Sequence, residues 1–174
     1  MSPVVEVVRT YLELRSPGDL RSAGGGDSGA RFIRDDCITV QRYRALYRDV
    51  GSSWHWHDRD AWTDEELAAY LAKPNVHVWE CLIGDETAGY FELSQADDGA
   101  VEIVYFGLVG AFIGRGLGGA MLTRAVQEAW ALGALRVWLH TCTLDSPRAL
   151  PNYLARGFTP ARKETYTATL PDSP

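Results

Sequence analysis

The spacing of apolar and polar positions predicts one strand and two helices in the first half of the chain. Residues 4–14 alternate between β-branched and polar side chains, which is typical of a half-buried strand. At 40–50 the apolar positions recur every three or four residues, which predicts a helix. Thr63 and Glu66 have the spacing of a capping box, so a second helix is predicted to begin there and to end before Pro74.

From residue 76 onward the pattern changes to strands. Apolar runs at 76–83, 88–93 and 101–109 are separated by the polar, turn-forming segments 84–86 and 96–99. Short strands joined by such turns predict an antiparallel meander.

One more helix and one more strand are predicted after the meander. The apolar positions from Met121 to Leu132 have helical spacing, and Gly133 is suited to cap the helix at its C-terminus. The run at 135–142 reads as a strand. Because only a short connection links it to that helix, we expect it to lie parallel to the strand at 101–109.

Length and composition predict a single domain over residues 1–174. A chain of 174 residues with 46% hydrophobic side chains is long enough for one well-packed core and short for two. Segment 16–29 is rich in glycine and is expected to form a mobile loop. No run approaches the roughly 18 to 20 apolar residues of a membrane span, and the first residues lack the pattern of a signal peptide. A cytoplasmic location is therefore expected.

The net charge limits the expected substrates, and the cysteine content bears on disulfide bonds and metal sites. The net charge of −6 is a poor match for nucleic acid and favours a cationic or neutral substrate. Cys37, Cys81 and Cys142 are odd in number and far apart, so neither a disulfide framework nor a cysteine metal site is predicted. We expect buried thiols.

The most informative segment is the glycine-rich run from Ile113 to Gly119, which follows a predicted strand and opens a predicted helix. Glycines leave the backbone open to a phosphate, and the first turn of a helix offers unpaired N–H groups with a partial positive charge. A diphosphate can bind at such a turn. Glycine spacing alone is a weak signal, so the surrounding sequence has to decide between classes of protein.

Two classes of nucleotide-binding protein fit this loop poorly. A P-loop requires a Lys and then a Ser or Thr after the last glycine, whereas Ala120 and Met121 stand here. A dinucleotide-binding fold places its loop after the first strand and an acidic residue about 20 positions later. Here about 100 residues precede the loop, and 133–137 contains no acidic residue.

A third class fits better. The run Ile113-Gly114-Arg115-Gly116-Leu117-Gly118 resembles the motif of the GCN5-related N-acetyltransferase (GNAT) family, which is Arg or Gln, two residues, Gly, any residue, then Gly or Ala. Downstream, Asn152-Tyr153-Leu154-Ala155-Arg156-Gly157-Phe158 is similar to the family's Asn-x-x-x-Tyr-x-x-x-Gly-Phe region in shortened spacing. The resemblance extends over residues 76–158. It departs at Ile113, where the family has Arg or Gln, so we expect the backbone N–H to be retained and Arg115 to supply charge.

The resemblance implies an α/β fold with a mixed, mostly antiparallel sheet, helices on both faces and a central pair of parallel strands that splay apart. Acetyl-CoA, the co-substrate of the family, would bind at the splay, and no metal is implied. The implied cofactor-binding residues are the end of a strand, the loop and two positions of the second motif: Leu108, Val109, Ile113, Gly114, Arg115, Gly116, Leu117, Gly118, Gly119, Asn152 and Tyr153.

The implied activity is transfer of an acetyl group from acetyl-CoA to a primary amine, expected to be that of a small molecule, by direct attack. By position, the N–H of Leu108 would polarise the thioester carbonyl, and Tyr153 would protonate the leaving thiolate. The alternative for Tyr153 is a helix tyrosine packed on the sheet. Glu102 is the first candidate for the general base, because its spacing from the loop matches the glutamate of the histone-acetylating branch. Glu92 and His140 are alternatives, and a water relay is a fourth.

An unusual cluster lies between the first two predicted helices. Trp54, His55, Trp56, His57 and Arg59 occupy a segment where small polar residues are the norm. In the fold that the resemblance implies, this loop borders the acceptor site, so we predict an aromatic wall that holds a cationic or apolar amine. The alternatives are that the tryptophans cover the core, or that the two histidines join a third ligand at a metal.

Two other functions stay open at this point. One is a non-catalytic sensor that binds acyl-CoA, and the other is an acyltransferase that acts on a protein or peptide amine or uses a longer acyl group. The expected partner is a small-molecule amine rather than nucleic acid or a membrane, and a homodimer is left open.

Overall fold

The computed structural model describes residues 3–24 and 28–170. In this part of the chain there are seven strands and four α-helices: β1 (Val4–Leu14), β2 (Ala30–Arg34), α1 (Val40–Gly51), α2 (Asp64–Leu71), β3 (Val76–Ile83), β4 (Glu86–Gln95), β5 (Ala100–Leu108), α3 (Leu117–Ala131), β6 (Arg136–Cys142), α4 (Ala149–Ala155) and β7 (Thr159–Thr169).

All seven strands form one sheet in the order β2-β3-β4-β5-β6-β1-β7. Neighbouring strands are antiparallel except for β5 and β6, which are parallel. The parallel pair is short, because only residues 100–102 of β5 are paired with 136–138 of β6. Beyond this point the two strands separate. The structure thus confirms the mixed, mostly antiparallel sheet with a splayed central pair.

Helices cover both faces of the sheet and define two hydrophobic cores. Met121, Leu122 and Ala125 of α3 pack with the sheet on one face, where Tyr153 of α4 joins them. On the other face Tyr43 and Leu46 of α1 belong to a separate core with residues of β3 and β4. The apolar stripe of each helix explains this arrangement, since an amphipathic helix buries one side against a sheet.

Most of the elements predicted from periodicity are confirmed, including β1, the meander β3 to β5 and the capping box of α2, where the Thr63 side chain accepts from the N–H of Glu66. The strands that were not predicted are β2 and β7, which are the two edges of the sheet. More than half of the residues of β7 are exposed. Edge strands with charged side chains lack the apolar alternation on which the prediction depends.

The structure corrects one expectation about the cysteines. Cys81 is buried and Cys142 half-buried, but Cys37 is exposed. In the predicted loop at 16–29, residues 25–27 lie outside the described part of the chain. The described start of this loop packs on the body of the protein, since the Arg21 N–H donates to the Arg156 carbonyl and the Ala23 N–H to Thr123 Oγ1. Its mobility stays a prediction.

Candidate active site

A cleft of about 590 Å³ opens where β5 and β6 separate. One wall is the stretch of β5 from Ile103 to Leu108, and the facing wall is the end of β6 with the segment after it. The glycine-rich loop and α4 close one end, and residues between α1 and α2 close the other. Splaying a parallel pair exposes backbone groups that would otherwise bind each other, so the cleft can receive an extended ligand.

The backbone of the glycine-rich loop explains its glycines. Gly114 and Gly116 have φ values of 85° and 78°, in the left-handed region where a side chain is strained. Gly116 is the N-cap of α3, and among the described residues no side chain caps this end of the helix. The first-turn N–H groups of α3 are therefore free to bind an anion. Gly118 and Gly119 of this turn line the cleft.

Not every loop residue reaches the cleft. Ile113 does, together with Gly114 and Gly116. The guanidinium of Arg115 instead lies 4.9 Å from the Phe112 ring, and Leu117 is buried in the core beneath α3. Neither of these two side chains lines the cleft.

The end of β5 presents a backbone donor to the cleft. The Val109 N–H donates to the Ala88 carbonyl at 2.8 Å, so it points toward β4, and its side chain packs in the core rather than in the cleft. Successive N–H groups of a strand point to opposite edges, so the N–H of Leu108 is directed at the edge that β6 has left. Leu108 lines the cleft.

Asn152 and Tyr153 of α4 both line the cleft beside the loop. The Asn152 amide donates from Nδ2 to the Gly118 carbonyl at 3.1 Å, which ties α4 to the first turn of α3. Tyr153 is 6% exposed, and its ring lies edge-on to Phe106 and Phe158, with centroid distances of 6.1 Å. Burial raises the pKa of the Tyr153 phenol above its usual value, so the hydroxyl is protonated at neutral pH.

The other end of the cleft is aromatic and acidic. Trp54, His55, Trp56 and Asp58 line it. The Trp56 ring lies 4.9 Å from that of Tyr105 and packs over Gly107, where a Cβ would lie 3.5 Å from the indole. His57 lies outside the cleft, with Nδ1 2.7 Å from Oδ2 of Asp60.

Arg59 points away from the cleft and into the protein. Its two terminal nitrogens donate to both oxygens of Glu92, at 2.8 and 2.9 Å, and both residues are buried. The hydroxyls of Tyr43 and Tyr70 also donate to Glu92. The guanidinium lies 4.7 Å from the ring of Tyr105. The pair thus fastens the α1–α2 connection to β4.

The three candidates for the general base have different surroundings. Glu92 is fully buried and accepts four hydrogen bonds, so it has no free lone pair toward the cleft. Glu102 is half-buried beside the paired part of β5 and β6 and does not line the cleft. Burial, and after it the charge of Glu92, raise the pKa of Glu102 to about 7.

His140 is the candidate that lines the cleft. Its side chain is exposed at the surface of the cleft, yet the surrounding wall desolvates the ring. This desolvation, and after it the charge of Arg9, lower the pKa of His140. The imidazole is therefore neutral at physiological pH and able to accept a proton.

Four charged residues that line the cleft were not predicted as site residues: Arg9, Asp58, Asp145 and Arg148. Asp58 lies within the predicted aromatic cluster between α1 and α2, and its carboxylate accepts from the Tyr105 hydroxyl at 3.4 Å. Arg148 stands outside both motifs, so nothing local marked it. Among the described residues, no group of three or more His, Cys, Asp and Glu side chains could hold a metal ion, and no helix is long and apolar enough to cross a membrane.

Comparison with known proteins gives a family for this arrangement. The model of the Acetyltransferase (GNAT) family matches residues 43–158. A mycothiol acetyltransferase of Corynebacterium efficiens is 30% identical over an alignment of 171 residues, and the alignment covers 89% of this chain and 55% of that protein. The chain therefore spans about half the length of this relative.

Solved structures share the fold at lower identity. A GCN5-related N-acetyltransferase from Kribbella flavida superposes with a TM-score of 0.67 at 18% identity, over 98% of this chain and 61% of that one. An aminoglycoside acetyltransferase from an uncultured soil metagenomic sample gives a TM-score of 0.60 at 16% identity, over 75% of this chain and 88% of that one.

Proposed function

Because the chain belongs to the GNAT family of acetyltransferases, whose members use acetyl-CoA as co-substrate, we propose that it transfers an acetyl group from acetyl-CoA to an amine of a small molecule. The observation that carries this proposal is the continuous cleft, which joins the glycine-rich loop to the aromatic end through the splay of β5 and β6. The names of two similar proteins refer to small molecules, mycothiol and aminoglycosides, which supports a small-molecule substrate.

The two ends of the cleft suit the two substrates. The first turn of α3 offers N–H groups to the diphosphate of the donor. The N–H of Leu108, on the open edge of β5, is placed to donate to a thioester carbonyl along the strand. The aromatic rings of Trp54, Trp56 and Tyr105 with the Asp58 carboxylate favour a cationic amine at the opposite end.

The attacking nitrogen must be a neutral amine, so a cationic amine first loses one proton to solvent. The transfer itself then removes one proton from the nitrogen and supplies one to the sulfur. The amine nitrogen forms a bond to the acetyl carbon as the bond from that carbon to sulfur breaks. Of the three candidate bases, we assign the amine proton to His140, because it lines the cleft and is neutral. Tyr153 is the donor to the departing thiolate, because its phenol is protonated and lines the same cleft beside the loop.

The test is release of free thiol from acetyl-CoA in the presence of a panel of amines. We expect turnover with cationic amines, and Tyr153→Phe should lower kcat by roughly 10²-fold while the affinity for acetyl-CoA stays within a few-fold. Tyr70→Phe is the matched control, because that hydroxyl binds Glu92, neither residue lines the cleft, and the variant should leave kcat unchanged.

Two results would overturn parts of this proposal. A protein that binds acetyl-CoA but releases no thiol with any amine would be a binding protein rather than an enzyme. Equal kcat for wild type and Tyr153→Phe, measured where chemistry limits turnover, would remove Tyr153 from the proton transfer and leave the family unaffected.

A further inference from the structure

The glycine-rich loop of this chain carries little positive charge of its own toward the cleft. Its first position is Ile113, where the resemblance leads one to expect Arg or Gln. Its one cation, Arg115, stacks on Phe112 and does not line the cleft. A diphosphate bound to the N–H groups of α3 would therefore meet no side-chain cation from the loop.

Arg148 brings a cation to this place from another element. It is the N-cap residue of α4, and its N–H donates to Ser146 Oγ at 3.3 Å, which fixes the turn before the helix. Its Nη1 lies 3.2 Å, and its Nη2 4.0 Å, from the position that a Cβ on Gly114 would occupy. The guanidinium thus lies directly over the glycine with left-handed φ, and both residues line the cleft.

The charge of Arg148 is also available to a ligand. Within residues 3–24 and 28–170, no carboxylate forms an ion pair with it, whereas most of the arginines in these residues have such a partner. The side chain is exposed. An unpaired guanidinium beside free backbone N–H groups is suited to a phosphate, because its fork of donors matches two phosphate oxygens.

We propose that Arg148 binds the diphosphate of the CoA donor and supplies from α4 the charge that the loop lacks. This inference rests on the proposed function, because that function names CoA as the ligand. The φ of 85° already restricts this position to glycine, and a Cβ on Gly114 would also lie 3.2 Å from the Arg148 guanidinium.

The experiment measures the binding of coenzyme A by calorimetry to wild type, Arg148→Gln and Arg148→Lys. Loss of a charged hydrogen-bond partner should weaken binding by about 10- to 100-fold for Arg148→Gln. Arg148→Lys should recover part of this loss, because it restores the charge without the fork. Arg48→Gln is the matched control: it removes the same charge from an exposed side chain of α1 that pairs with Asp49, and it should bind coenzyme A like wild type.

A second donor separates phosphate binding from a structural effect. S-acetylpantetheine has the same thioester but lacks the diphosphate and the nucleotide, so kcat/KM with this donor should be equal for wild type and Arg148→Gln. Loss of activity with both donors would show that Arg148 supports the fold of the site and would overturn the proposal.

Further outcomes would decide between Arg148, the loop and the absence of coenzyme A binding. Unchanged binding of coenzyme A to Arg148→Gln would overturn the proposal, and a loss confined to Arg115→Gln would transfer the role to the loop. Wild-type protein that does not bind coenzyme A would refute the proposed function itself, and this result is distinguishable because it precedes any comparison of variants.

Discussion

The buried pair of Arg59 and Glu92 allows a stability prediction with a defined size. Glu92→Gln leaves the Arg59 guanidinium in the protein interior without its counter-ion, and Arg59→Met leaves the carboxylate with two tyrosine hydroxyls alone. Removing one partner of a buried ion pair costs about 3 to 5 kcal/mol, because the remaining charge is uncompensated. For a chain of this length, that should lower Tm by roughly 6 to 20 °C.

The double variant Arg59→Met/Glu92→Gln is the decisive member of the series. It contains no buried charge at this site. The amide oxygen of Gln can accept from one of the two tyrosine hydroxyls, Tyr43 or Tyr70, and its NH2 group can donate to the oxygen of the other. We therefore expect the double variant to be more stable than either single variant and to lose less than about 2 kcal/mol.

The assay is chemical denaturation of all four proteins of the cycle, with m-values compared to establish two-state unfolding. The control is Arg44→Met, which breaks a pair with the exposed Asp64 and should cost less than about 1 kcal/mol. If the two single costs simply added in the double variant, the stability at this site would come from packing, and the argument from charge would be refuted.

Three further predictions concern the cleft and its supports. Gly118→Glu should weaken coenzyme A binding at least about 10-fold without loss of Tm, since its Cβ has room 3.5 Å from Asn152 Nδ2, and Gly118→Ala should bind normally in calorimetry. The raised pKa of Glu102, about 7, means that the folded state loses stability as pH rises from about 4.5 to 7. Glu102→Gln should therefore raise stability by about 1 to 2 kcal/mol at pH 8 and not at pH 4, and equal gains at both pH values would contradict this. Trp56→Ala should raise the KM for the amine more than that for acetyl-CoA and cost about 3 to 5 kcal/mol, whereas normal amine kinetics would assign the indole to the core alone.

Local patterns in the sequence were sufficient for the elements whose side chains face a core. The alternation in β1 and the helical stripes of α1 and α3 were predicted because burial imposes them. The glycine-rich loop was also visible, because backbone conformation restricts those positions to glycine. The edge strands β2 and β7 are held by backbone hydrogen bonds to one neighbouring strand, and such bonds do not require a particular pattern of side chains.

The site was less predictable where a role depends on two distant segments. Six consecutive residues from Trp54 to Arg59 share one aromatic, polar texture, yet Asp58 lines the cleft while Arg59 turns inward to Glu92, 33 positions away. No residue close to Arg59 in sequence indicates that Glu92 is its partner. The role proposed for Arg148 was equally unpredictable from nearby sequence, because it depends on the proximity of Gly114, which lies in a different segment.

The position of β1 has a consequence for the order in which the protein can fold. β1 lies between β6 and β7, and both of these strands follow the other described strands along the chain. Its pairings join Arg9 to Cys142 and to Glu164, across more than 130 positions of sequence. Until β6 has been synthesised, β1 has neither of its two neighbours, and both of its edges are unpaired and available to other chains.

The family match at residues 43–158 excludes both β1 and β7. A fragment cut to these limits would keep the cleft walls of β5 and β6 but would leave β6 as an exposed edge, stripped of its antiparallel partner. Expression of that fragment should give an aggregating product. A separately supplied peptide of residues 3–15 should bind the unpaired edge of β6 and reduce the aggregation.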